Sequence, residues 1–242
     1  MEEWLSRTEL LLGRERLGCL LRSHVLVVGV GGVGAYAAEL LCRAGVGALT
    51  VVDGDCVDVT NKNRQLPALD SAVGRPKVEV LAARFRDINP DMRLRTVCGF
   101  IREDDVESLL SSGPFDYVVD AIDTIAPKVA LLAACVRHGV PVVSSMGAGG
   151  KMDPSQVRVA DISRTHDCPL ARVVRSRLRK LGILRGVSAV FSPEPVDPRA
   201  VVASEGENKK STVGTISYIP PLFGCFCASV VIRALVGRAV AE

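Results

Sequence analysis

Cations, amides and acids gather around one glycine cluster in this 242-residue chain, with the residue types that phosphate chemistry needs. Gly29-Val30-Gly31-Gly32-Val33-Gly34 follows the apolar run Val25 to Val28. A helical pattern follows from Ala35 to Ala44, then a second apolar run, Leu49 to Val52, closed by Asp53. Glycines between a strand and a helix let backbone N–H groups approach a phosphate, and the helix start adds the positive end of its dipole. Gly29, Gly31, Gly32 and Gly34 are therefore expected to form a nucleotide cradle. Asp53, at the end of the second strand, is placed to accept hydrogen bonds from a ribose.

The residues after Asp53 indicate which nucleotide. Asp55 lies in a polar connection, and Asn61, Asn63, Arg64 and Gln65 fill a loop rich in amides and cations. Lys77 begins a helix behind Pro76, and Asp123 lies just past the buried strand Tyr117 to Ala121. Arg64 and Lys77 would put two cations beside phosphates. Asn61 and Gln65 would bond the nucleotide or fix the loop, and Asp123 would hold Mg²⁺ or orient the attacking group. Each has a plainer alternative: Arg64 as a surface cation, Lys77 as a helix-face charge, Asp123 as a helix N-cap. A dehydrogenase would need a separate substrate domain with its own acid–base group, and no such second half is evident. A triphosphate suits the set better than a dinucleotide.

The elements that must position these residues alternate. Strands are expected at Val25–Val28, Leu49–Val52, Met92–Val97, Tyr117–Ala121, Val142–Ser145 and Val187–Phe191. Helices are expected at Ala35–Ala44, from Lys77 to before Asn89-Pro90, at Asp104–Leu110 and at Ala126–His138. That pattern predicts an α/β fold with a doubly wound, largely parallel, Rossmann-like sheet, whose ligands bind beyond the strand C-termini. One domain spanning 1–242 is expected, with an N-terminal helical segment at about 1–22. Proline-rich 192–212 reads as a long, mobile, exposed loop. Ile219 to Val236 is apolar but interrupted by Pro220, Pro221 and Arg233, so a buried helix without stable membrane insertion is expected, with membrane association as the lesser alternative.

With 48% hydrophobic and 24% charged residues, the composition is that of a globular domain. The net charge of +3 gives no global nucleic-acid signature, so any basic surface must be local. One stretch qualifies: between residues 164 and 185 seven cations face one acid, Asp167. Arg172, Arg175 and Arg179 recur there at helical spacing and are the candidate RNA-binding residues. The eight cysteines sit mostly in apolar patterns, as reduced core residues of a cytoplasmic protein do. No pair of CxxC motifs is present, so zinc is not expected.

As a set, Gly29 to Gly34, Asp53-Gly54-Asp55, Asn61-Lys62-Asn63-Arg64-Gln65, Lys77 and Asp120-Ala121-Ile122-Asp123 resemble the adenylating domain of E1-like activating enzymes and their bacterial relatives. Gly45-Val46-Gly47, Val119 to Thr124, Ser145 to Gly149, Lys151-Met152-Asp153-Pro154 and Cys168-Pro169-Leu170 are most similar to the branch of tRNA threonylcarbamoyladenosine dehydratases. The resemblance implies an ATP-dependent reaction in which a tRNA threonylcarbamoyl carboxylate is adenylated and the group then closes to a cyclic oxazolone. It assigns Asp53 to the ribose, Arg64 and Lys77 to the phosphates, and Asp123 to Mg²⁺ and the reacting centre. A monovalent cation is allowed by the same likeness. It also implies a homodimer, in which Arg7 reaches into the partner's site, and possible sulfur-relay protein partners. Two other readings stay open: adenylation of a sulfur-carrier protein, against which the missing cysteine pairs argue, and a non-catalytic nucleotide-binding scaffold.

Overall fold

A computed structural model describes residues 3–206 and 209–237. Residues 1–2, 207–208 and 238–242, which belong to the predicted N-terminal segment, loop and domain end, lie outside the described residues.

The chain opens with a short 3-10 turn and helices α1 (Ser6–Leu12) and α2 (Arg14–Arg22), broken at Gly13, whose φ of 80° suits glycine. The alternation then runs β1 (His24–Val28), α3 (Gly34–Arg43), β2 (Ala48–Asp53), α4 (Lys77–Ile88), β3 (Arg93–Cys98), α5 (Val106–Ser111), β4 (Tyr117–Asp120), α6 (Ile125–Arg137) and β5 (Val142–Ser145). It continues through β6 (Arg158–Asp161), α7 (Pro169–Lys180), β7 (Ser188–Phe191), β8 (Val201–Gly206), β9 (Lys209–Val213) and α8 (Ile219–Gly237). The main sheet has the order β3-β2-β1-β4-β5-β7-β6, parallel except for the β6–β7 pair, so the doubly wound expectation holds.

Strands buried on both faces need helices on both faces. One layer packs α3, α4 and α8 on side chains such as Val25, Val27, Leu49, Val51 and Val119. The other packs α5, α6 and α7 on Leu26, Val28, Val52, Val118 and Ala189. The C-terminal helix buries Phe223, Cys227, Val231 and Leu235 at four-residue spacing, together with Gly224, where an added Cβ would meet the Val33 carbonyl oxygen at 2.5 Å. Its 19 residues have a mean hydropathy of 1.9, long and apolar enough to cross a membrane by length and composition, yet one face is core of this domain.

The structure corrects one expectation and adds one strand. The stretch 192–212 is no continuous irregular loop: β8 and β9 pair as an antiparallel hairpin with a register shift between Ala203 and Gly206. The edge strand β6, too short and half-exposed to stand out in sequence, was not anticipated.

Candidate active site

The sheet reverses its winding at β1, between β2 and β4, and the glycine turn emerges there. Gly29 has φ of 85°, and a Cβ on it would lie 2.7 Å from the Ala121 carbonyl oxygen. A Cβ on Gly34 would lie 1.8 Å from the Gly29 oxygen. These two glycines are required by backbone packing. The turn's outer face belongs to the others: a Cβ on Gly31 would meet only the Gln65 side chain, at 3.6 Å, and one on Gly32 would meet Pro220 and Arg64.

Asp53 fixes the turn from β2. Its carboxylate accepts from the backbone N–H of Val30 at 2.7 Å and of Asp55 at 2.8 Å. Burial pushes its carboxyl above the ordinary value, against those two N–H donors and the nearby Lys77 charge, which pull it down. One lone pair on each oxygen is engaged by the loop, and the others can meet hydroxyl donors. Phe100, 72% exposed, lies against Gly54 and sets an apolar ring beside this acid.

Lys77 is no solvated helix-face charge. It is 3% exposed, and its Nζ donates to the Asp55 carboxylate at 2.8 Å, while its own N–H bonds the Asp55 carbonyl. Asp55 thus tethers the cation at the start of α4. In the 3-10 turn Val59–Asn61, Asn61 closes a capping box with Asp58, so its side chain fixes the loop. Arg64 donates from Nη1 to the Thr60 carbonyl at 3.1 Å and to Asn63 Oδ1 at 2.8 Å, with further guanidinium donors beyond Nη1. Asn63 Nδ2 reaches the Thr215 carbonyl at 2.9 Å, tying this loop to the exit of the hairpin. The Gln65 Oε1 atom is buried and has no hydrogen-bond partner, while its Nε2 lies against Gly31 of the glycine turn. An open glycine face and two tethered cations fit a nucleoside triphosphate.

Asp123 is exposed past β4, one residue before Thr124, the N-cap position of α6. Beneath it lies a pair that sequence reading missed. Asp120 and Lys128 are both fully buried; Lys128 Nζ lies 2.7 Å from Asp120 Oδ2 and donates to the Ile122 carbonyl at 3.0 Å. Asp120 also accepts from Ser144 Oγ at 2.6 Å and from the Ile122 N–H at 3.1 Å. The backbone leading to Asp123 is held at both its N–H and its C=O. The next rim segment, after β5, is held likewise: Glu194 accepts from the Met152 and Asp153 N–H groups at 2.9–3.0 Å, Lys151 Nζ bonds the Glu194 carbonyl, and Tyr218 donates to the Met152 carbonyl at 2.8 Å.

Two further expectations fall elsewhere. Arg7 is exposed on α1; two residues before it, Leu5 packs on Gly45, ahead of β2 and at the opposite end of the strands from the glycine turn. The chain does not bring Arg7 to its own site. On α7, Arg172 and Arg179 are exposed, whereas Arg175 is partly buried and donates to the Thr165 carbonyl and hydroxyl at 2.7 and 2.6 Å. Among the described residues, no group of three or more His, Cys, Asp or Glu is placed to hold a metal ion.

The ThiF family profile matches residues 5–242. The chain is 45% identical over 238 residues to the tRNA threonylcarbamoyladenosine dehydratase of Bacillus subtilis, covering 98% of this chain and 93% of that one. It is 38% identical over 262 residues to the Escherichia coli protein of the same name, covering 100% and 97%. The crystal structure of E. coli tRNA N6-threonylcarbamoyladenosine dehydratase in complex with ATP superposes with a TM-score of 0.89 at 38% identity, over 99% of this chain and 96% of that one. Its complex with AMP matches at a TM-score of 0.87.

Proposed function

The chain belongs to the ThiF family, and from that premise we propose that it is an ATP-dependent tRNA threonylcarbamoyladenosine dehydratase. The observation that carries this reading is the full-length likeness to dehydratases joined to a glycine turn flanked by tethered cations. The substrate carboxylate attacks the α-phosphorus of ATP, and pyrophosphate leaves. The ureido oxygen then closes on the acyl carbon, the acyl–phosphate bond breaks and AMP departs, giving a cyclic oxazolone with net loss of one water.

The chain's residues share this work. Gly31 and Gly32 present the turn to the phosphates, and Asp53 accepts from the ribose. Arg64 and Lys77 oppose the charge that grows on pyrophosphate, held in place beforehand by Asn63 and Asp55. Asp123, poised by the Asp120–Lys128 pair, faces the reacting centre and would hold Mg²⁺, which would offset phosphate charge; a single carboxylate with substrate phosphates is how that ion is commonly held. A monovalent cation belongs to the same proposal. Arg172 and Arg179 contact tRNA phosphates, with Arg175 supporting the helix. Two chains form a dimer in which Arg7 enters the partner's site, in keeping with its distance from its own. The enzyme is cytoplasmic, and contact with sulfur-relay proteins is part of the reading.

ATP–pyrophosphate exchange tests it. Exchange is expected only with tRNA carrying the threonylcarbamoyl group. Exchange that depends on a small protein ending in Gly-Gly would assign the chain to carrier activation, and absence of exchange with every acceptor would leave a scaffold.

A further inference from the structure

At the end of the sheet remote from the glycine turn lies a second cavity, of about 520 Å³, between the starts of β1, β2 and β3 and the end of α5. The register explains its lining. His24, Ala48 and Arg93 are cross-strand partners in one row, and Thr50 and Arg95 in another, so all five side chains stand on the face that α5 covers. That helix has only six residues, and it ends at Ser111. Small Ala48 leaves a gap between His24 and Arg93. Arg22 completes the wall from α2.

The lining has three guanidinium groups and a histidine against a single carboxylate, Asp116, which already accepts from the His24 backbone N–H at 2.9 Å. Arg95 is braced by the Ser112 hydroxyl at 3.0 Å and carbonyl at 3.3 Å, with donors to spare. His24 is braced by Thr50 Oγ1 at 2.9 Å and packs its ring on Phe115. We propose that this cavity binds a phosphate group, either on the backbone of an RNA or as a small phosphate ligand, held by Arg93 and Arg95 with His24 at its floor. The braced Arg95 guanidinium is pre-organised for phosphate oxygens, and Arg93 stands beside it on the same face. Burial and the charges of Arg93 and Arg95 lower the His24 pKa, with Asp116 acting in the opposite sense, so a bound anion would be felt at the imidazole. The glycine turn is one strand length away, about 17 Å for five residues, so the two phosphate sites are separate. The site itself does not rest on the dehydratase reading; only its RNA arm does.

The His24 imidazole resonance provides the readout, assigned by its loss in His24→Gln. The probes are inorganic phosphate and a tRNA anticodon stem-loop. A shift with either probe that vanishes in Arg93→Ala/Arg95→Ala supports the site, and the active probe identifies the source. No shift with either, or a shift that persists in the double variant, overturns it. Melting temperature controls for folding, and Arg93→Gln replaces the double variant if that one is unstable. Loss of tRNA modification with the phosphate response intact would count against the dehydratase reading alone.

Discussion

Asp123 stands one residue ahead of Thr124, the N-cap of α6, and the proposed function makes it a working carboxylate. Asp123→Asn is therefore expected to leave melting unchanged and to lower turnover about a hundredfold or more, the worth of a charge or metal contact at a reacting phosphate. Steady-state rates beside a thermal melt check this, and wild-type turnover would remove the role. Lys77 teaches a different lesson. Its position behind Pro76 was legible, but its burial and its Asp55 partner depend on a turn some twenty residues earlier, which no local pattern reveals. Phe100 was invisible for the same reason: it follows an edge strand and gains meaning only from Gly54 beneath it.

Between elements, the buried Asp120–Lys128 pair sets the loop that carries Asp123. In the apolar run of α6 a single lysine reads as a helix-face charge; only the β4–α6 packing buries it. Lys128→Met leaves the buried Asp120 carboxylate without its cation, with only the Ser144 and Ile122 hydrogen bonds remaining, and should cost about 3–5 kcal/mol. Adding Asp120→Asn should recover part of that while turnover stays low. Denaturant titration checks it, and a cost under about 1 kcal/mol would show the pair to be dispensable.

A second inter-element contact is pH-dependent. Burial raises Glu39 on α3, but hydrogen bonds from Arg84 on α4 and from Arg43 outweigh it and hold the carboxyl below its ordinary 4.5. A depressed folded-state pKa contributes stability above the unfolded value and loses it as pH falls through the folded one. Glu39→Gln should thus destabilise by about 1 kcal/mol near neutrality, and the difference from wild type should vanish as pH drops below 4.5. A difference constant with pH would contradict the linkage.

The strand–helix alternation up to β5 was readable from apolar runs and punctuation, since parallel strands are buried on both faces and leave continuous Val-rich segments. The hairpin β8–β9 was not, because short strands among prolines and charges carry neither signal. At the scale of the whole molecule, Leu5 anchors α1 far from the glycine turn, so Arg7 can serve a site only across a dimer. Mixing equal amounts of Arg7→Ala and Asp123→Asn chains should restore about a quarter of wild-type activity, since half of the dimers are mixed and each keeps one intact site of two. No recovery after verified subunit exchange would place Arg7 outside the mechanism. Likewise Arg172→Ala/Arg179→Ala should weaken tRNA binding and flatten its salt dependence by about two units, leaving ATP affinity unaltered; Arg175 is spared because it braces Thr165.

The central claim is chemical, and one measurement meets it directly. Transfer RNA bearing the threonylcarbamoyl adenosine is incubated with the protein and ATP, digested under mild conditions, and its nucleosides are weighed by mass spectrometry. The account predicts a nucleoside lighter by one water, formed with one AMP per turnover and absent without ATP. An unchanged nucleoside, in the presence of folded and ATP-binding protein, would contradict it.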